Sequence, residues 1–83
     1  MRPEALYRRI QLGHKANVKF EDFETLLAAF GYRYDGGRGS HRIYRHEETE
    51  ARLPIQPDHN GDAKGYQVAE FLNQVRKYRL RMG

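Results

Sequence analysis

Apolar positions fall into two helical stripes separated by a stretch that alternates. Phe23, Leu26, Leu27 and Phe30 recur at i, i+3, i+4 and i+7 and predict a helix over Glu21 to Phe30 with one apolar face. Glu21, Asp22 and Glu24 fill its first turn, where the helix dipole favours negative charge, and Gly31 suits the left-handed residue that ends it. Val68, Phe71, Leu72 and Val75 repeat the stripe and predict a last helix from Gly65 or Tyr66 to Leu80. Arg76, Lys77, Arg79 and Arg81 crowd its C-terminal end, where cations oppose the dipole favourably.

Three strands are predicted between the stripes. Tyr32 to Tyr34 is short and aromatic, and Gly36, Gly37 and Gly39 make a flexible turn around Arg38. Ser40 to His46 forms a second strand, Glu47 to Glu50 an acidic turn, and Ala51 to Gln56 a third strand with Leu53 and Ile55 on one face. Pro54 suits an edge position or a bulge. Alternation in the second strand puts His41, Ile43 and Arg45 on one side and Arg42, Tyr44 and His46 on the other. Tyr44 is placed inward, because an aromatic ring fills a small core better, which leaves His41 and Arg45 on the open side. Pro57 to Lys64 reads as a polar loop with a turn at Asn60-Gly61. Pro3 to Leu12 is a short leading helix leaning on the main body, with Leu6 and Ile10 four residues apart. The fold class is therefore α+β: two amphipathic helices on one face of a small antiparallel meander, the other sheet face open, and an extra N-terminal helix.

Composition narrows the function classes. Eighty-three residues support one domain, 1–83. Cysteine is absent, which excludes a disulfide scaffold, a thiolate zinc site and a cysteine nucleophile. No stretch reaches the ~18 to 20 apolar residues of a membrane span, and no apolar leader core follows Met1, so a soluble cytoplasmic protein with no membrane partner is expected. Fifteen Lys and Arg, eleven of them Arg, against eleven Asp and Glu give a net charge of +4. Such a balance suits phosphate or carboxylate partners.

The densest chemistry lies between Gly36 and His46. Glycines let a phosphate backbone approach, and Arg38, Arg42 and Arg45 are candidate phosphate ligands. His41 stands beside them, and histidine is the usual acid or base near neutral pH. Cleaving RNA requires a base for the 2′-hydroxyl, a cation for the phosphorane charge and an acid for the leaving oxygen. One histidine with two arginines covers that minimum. The bland alternative is a plain hairpin with solvated arginines, and residue types alone favour it. Lys64 precedes the last helix and offers a cation at free N–H groups, or is simply a loop charge. His41, His46 and His59 with Asp58 lack metal-site spacing, so scattered surface histidines are expected and no metal or other cofactor is invoked. No nucleophile elbow surrounds Ser40.

The run Gly39-Ser40-His41-Arg42-Ile43-Tyr44-Arg45, following the helix closed by Phe30-Gly31 and followed by Pro57-Asp58-His59, Lys64 and an amphipathic helix, resembles the HicA toxins of bacterial type II toxin–antitoxin systems. The similarity spans about Val18 to Leu80, a core over 18–80 preceded by an extension over 1–17. It implies a fold like a double-stranded-RNA-binding domain: helix, three-stranded antiparallel sheet, helix. It also implies an endoribonuclease that cleaves mRNA and is neutralised by a HicB-type antitoxin. The family's catalytic histidine maps onto His41 and its preceding Gly-Ser onto Gly39 and Ser40, while Lys64 matches a basic position before the last helix. With Arg38, Arg42 and Arg45 these form the expected RNA-binding set. The extension and the acidic turn Glu47 to Glu50 depart from the family pattern, and the turn is expected to point away from RNA. The leading expectation is a ribonuclease using His41 as general acid or base without a metal. The alternatives are a non-catalytic RNA-binding module on the same face and a protein-interaction domain that meets an acidic partner.

Overall fold

A computed structural model describes all residues, 1–83. In chain order the elements are α1 (Pro3–Gln11), α2 (Phe20–Ala29), β1 (Tyr32–Arg38), β2 (His41–His46), β3 (Arg52–Ile55) and α3 (Gly65–Tyr78). The antiparallel sheet has the order β1-β2-β3, so β3 is an edge strand, as Pro54 suggested. The α+β expectation holds, with three helices and a three-stranded sheet.

Core formation follows the apolar stripes. Phe23, Leu26 and Leu27 of α2 and Val68 and Phe71 of α3 are fully buried against Tyr44, Leu53 and Ile55 of the sheet. Phe71 stands at the centre of an aromatic cluster, its ring centroid 5.2 Å from Phe30, 5.9 Å from Phe23 and 6.1 Å from Tyr32. Leu72, expected in the core, is only half-buried. The leading helix does more than lean: Leu6 and Ile10 of α1 join the same cluster, and Tyr7 packs 4.8 Å from Phe30.

Three polar side chains, His46, Gln67 and Gln74, are buried despite their chemistry. His46 is not a surface histidine; it is 5% exposed, edge-on to Tyr32. Its Nδ1 accepts the backbone N–H groups of Glu48 and Thr49, each at 3.2 Å, and so ties the acidic turn to the sheet. The other ring nitrogen lies 3.1 Å from where a side chain on Gly31 would begin, and Gly31 sits at φ +90°. Gln74 of α3 accepts the Tyr32 hydroxyl at 2.6 Å and donates to the Arg52 carbonyl at 2.8 Å, which fastens α3 to both edges of the sheet. Burial raises the Tyr32 pKa above its ordinary value, so the phenol remains a donor in this bond.

β1 is longer than its apolar residues suggest. Tyr34 pairs with Tyr44, but the next pair is Gly37 with Arg42, so one extra residue bulges from β1 near Asp35 and Gly36. The strand then continues to Arg38, and the turn is only Gly39 and Ser40. Gly39 has φ +56° while Ser40 has no positive φ, the pattern of a II′ hairpin turn. The glycine segment is thus paired strand rather than a flexible turn. α3 stops at Tyr78, short of the expected Leu80, because Arg79 adopts a left-handed conformation (φ 54°, ψ 48°) and Leu80 N–H returns to the Val75 carbonyl.

Candidate nucleic-acid interface

All three helices supply the core on the Tyr44 side of the sheet, and no element covers the opposite side. The strand register assigns residues to that open face. Arg33 is opposite Arg45, which is opposite Arg52; Ile43 is opposite Pro54; Arg38 is opposite His41. Residues directly opposed in an antiparallel pair share a face, with Cβ atoms about 4.5 to 5.5 Å apart. His41 and Arg38 therefore form a cross-strand pair at the tip of the hairpin, both exposed.

Gly37 builds this tip. A side chain there would begin 2.0 Å from the His41 carbonyl oxygen, and the residue has φ +138°. Only glycine lets β1 pass this close to the start of β2. Residue type predicts turn for Gly37 as for its neighbouring glycines, but Gly37 is the one whose missing side chain sets the backbone under His41.

The other expected site residues divide by position. Gly39 and Ser40 form the turn next to His41. Arg45 shares the His41 face, with its Nε 2.9 Å from Asp35 Oδ2. Arg33 lies 3.3 Å from Glu47. Arg42 lies on the helix side: its guanidinium donates to Glu24 Oε2 at 2.7 Å and stands 5.7 Å over the Phe20 ring. Tyr44 donates to the same Glu24 oxygen at 2.8 Å. Burial first, then this bond, pushes the Tyr44 phenol up to about 12, so it stays a protonated donor throughout the physiological range. Lys64 is the residue before α3, half-buried, and belongs to the helix layer rather than the open face. The structure therefore places Arg38, Gly39 and Ser40 beside His41, sets Arg45 further along the same face, and leaves Arg42 and Lys64 on the helix side.

Neither Arg38 nor Arg52 has an ion-pair partner, whereas Arg33 and Arg45 each have one. The Arg33 and Arg45 pairs are solvent-exposed, and such pairs contribute about 0 to 1 kcal/mol, so both arginines can be drawn to a phosphate at little cost. His59 stays in the loop after β3. Asp58 there accepts the N–H groups of Asn60 at 2.8 Å and Asp62 at 3.0 Å, which holds its carboxyl below the usual range. The imidazoles of His41, His46 and His59 do not gather into a common cluster.

The face thus offers a histidine, an adjacent unpaired guanidinium and further arginines on a surface without a deep cavity. It can hold a chain of anionic groups and move a proton at one of them. No helix is long and apolar enough to cross a membrane. No curated protein and no solved structure matches the chain. The family model for the HicA toxin of bacterial toxin–antitoxin systems matches residues 20–76, from the start of α2 to near the end of α3. With more than half of its length matched, the chain belongs to the HicA toxin family, whose members act beside an antitoxin.

Proposed function

We propose that this chain is an endoribonuclease that cleaves mRNA through His41, and that a HicB-type antitoxin silences it by covering the open sheet face. The observation that carries this reading is the His41–Arg38 pair: a base and an unpaired cation, cross-strand neighbours on an uncovered surface. The imidazole takes the proton of a ribose 2′-hydroxyl, and the 2′-oxygen attacks the adjacent phosphorus. Arg38 balances the charge that develops on the phosphoryl oxygens. The bond from phosphorus to the 5′-oxygen breaks, and that oxygen takes up a proton from the imidazolium or from water. Gly39 and Ser40 keep the turn small enough for the phosphate to approach, and Arg45 holds the strand further along β2. Arg42 and Lys64 flank this path from the helix side. The route requires no metal or other cofactor.

An acidic antitoxin segment suits the same surface, since opposite charge steers capture and occlusion of His41 blocks RNA. A non-cleaving RNA-binding module would use the same arginines but would leave bound RNA whole.

Induced expression in bacteria tests the reading. Growth arrest accompanied by loss of intact mRNA is expected, with both relieved when a HicB-type partner is produced at the same time. Growth and mRNA indistinguishable from an empty vector would contradict it.

A further inference from the structure

We propose that the open face holds RNA as a single strand laid along β2, with Arg33 and Arg52, on either side of Arg45, forming a row that grips the backbone away from the cut. This deepens the functional reading above and rests on it for the location of the cut. The pairs Arg33 with Arg45 and Arg45 with Arg52 place one arginine on each strand at a single level of the sheet. Neighbouring strands are about 4.8 Å apart, so the three guanidinium stems form a bar across the face. His41 and Arg45 are four residues apart on β2, roughly 13 Å at ~3.3 Å per residue. Between them lies an apolar step, Ile43 opposite Pro54, suited to the flat face of a ribose or base.

Charge supports an anionic strand on this side. Arg33, Arg38, Arg45 and Arg52 share the face with Asp35, which is paired with Arg45; Glu47 pairs with Arg33 at its rim, where Glu50 also lines the hollow beside Arg45, so four cations stand against three carboxylates. Arg52 has no carboxylate partner and is exposed. The surface is a shallow sheet a few strands wide with a central apolar step, which admits an unpaired chain with its bases turned down. A rigid duplex could reach the hairpin tip or the arginine bar only with its outer phosphates and would leave the Ile43–Pro54 step unused.

The test has a binding arm and a cleavage arm. Binding is measured over a salt series with an unstructured single-stranded RNA carrying 2′-O-methyl riboses, which cannot be cut, and with the same strand annealed to its complement. The single strand is expected to bind more tightly than the duplex. Arg33→Ala and Arg52→Ala should each lower the slope of log affinity against log salt by about 0.7, the counterion release of one phosphate contact on a single strand. Arg8→Ala, on the exposed side of α1, should not change it. In the cleavage arm, Arg52→Ala should raise KM on a long RNA and leave a dinucleotide unaffected, because a dinucleotide has no second phosphate to reach the row.

Unchanged salt slopes in both variants, or duplex binding as tight as single-strand binding, would overturn the proposal. Equal loss on the dinucleotide and the long RNA would do the same, by showing a structural effect instead. So would an Arg52→Ala variant that loses only antitoxin binding, which would assign the row to the protein partner. The binding arm is read without cleavage. A wild-type protein that cuts no RNA therefore refutes the catalytic reading by itself, while the slopes still decide the fate of the row.

Discussion

His41→Ala is expected to reduce RNA cleavage by about 100- to 10,000-fold, the usual cost of losing a general acid or base, with the fold unchanged. The side chain is exposed at the start of β2 and belongs to no buried cluster, so its removal should alter stability by no more than about 0.5 kcal/mol. Substitutes are scarce. A guanidinium offers donors and no acceptor, so Arg38 and Arg45 cannot act as bases, and Ser40 needs a partner to serve as one. His46 is buried, with Nδ1 committed to the N–H groups of Glu48 and Thr49. His14 and His59 are also exposed, and His59 lies in the loop after β3, so the His41→Ala, His59→Ala double variant serves as control. Single-turnover cleavage beside circular dichroism separates chemistry from folding. A folded His41→Ala variant cutting at the wild-type rate would remove His41 from the mechanism.

Phe71→Ala should be the most damaging single truncation for stability. The ring has no exposed surface and packs edge-on against Phe23, Phe30 and Tyr7, with Tyr32 on a further side. Its loss removes buried area and leaves a cavity whose walls come from α1, α2, α3 and β1, so no single element can move in to fill it. Such truncations cost about 3 to 5 kcal/mol. A domain of this class has about 5 to 15 kcal/mol in total, so most of the margin of a small one would be lost. Urea unfolding followed by circular dichroism reads the change directly. A loss below about 1 kcal/mol would show that Phe71 is not the centre of the core.

Much of this architecture was legible because burial here follows the periodicity of apolar residues. Both helical stripes formed helices, and the choice of Tyr44 as inward matches its 8% exposure. By the same alternation His46, two residues beyond Tyr44, shares its inward face. Residue type argued for the surface, but a turn that donates two N–H groups to one ring nitrogen compensates the burial. The burial of Gln74 is hidden for a similar reason, since its two shortest hydrogen bonds are to partners distant in sequence, Tyr32 and the Arg52 carbonyl. The length of β1 was hidden because glycine reads as turn, whereas here Gly37 is the residue that permits close pairing with β2.

The candidate site was legible in its centre and not at its margins. The hairpin run from Arg38 to Arg45 can be read as one stretch of sequence, but the sequence does not reveal that Arg42 is tied to Glu24 on the helix side. Nor does it show Arg33 and Arg52 as neighbours of Arg45, because that depends on strand register and on the bulge that sets it.

The proposed mechanism requires the imidazole of His41 to activate a ribose 2′-hydroxyl. The most direct measurement uses one end-labelled RNA that the wild-type protein cuts, compared with the same RNA carrying a single 2′-deoxy ribose at the cut position. The expected result is cleavage of the first, leaving a 2′,3′-cyclic phosphate on the upstream fragment, and no cleavage at that position in the second. Equal cleavage of both at the same position would contradict the mechanism, since a reaction that proceeds without the 2′-oxygen gives His41 no proton to take from it.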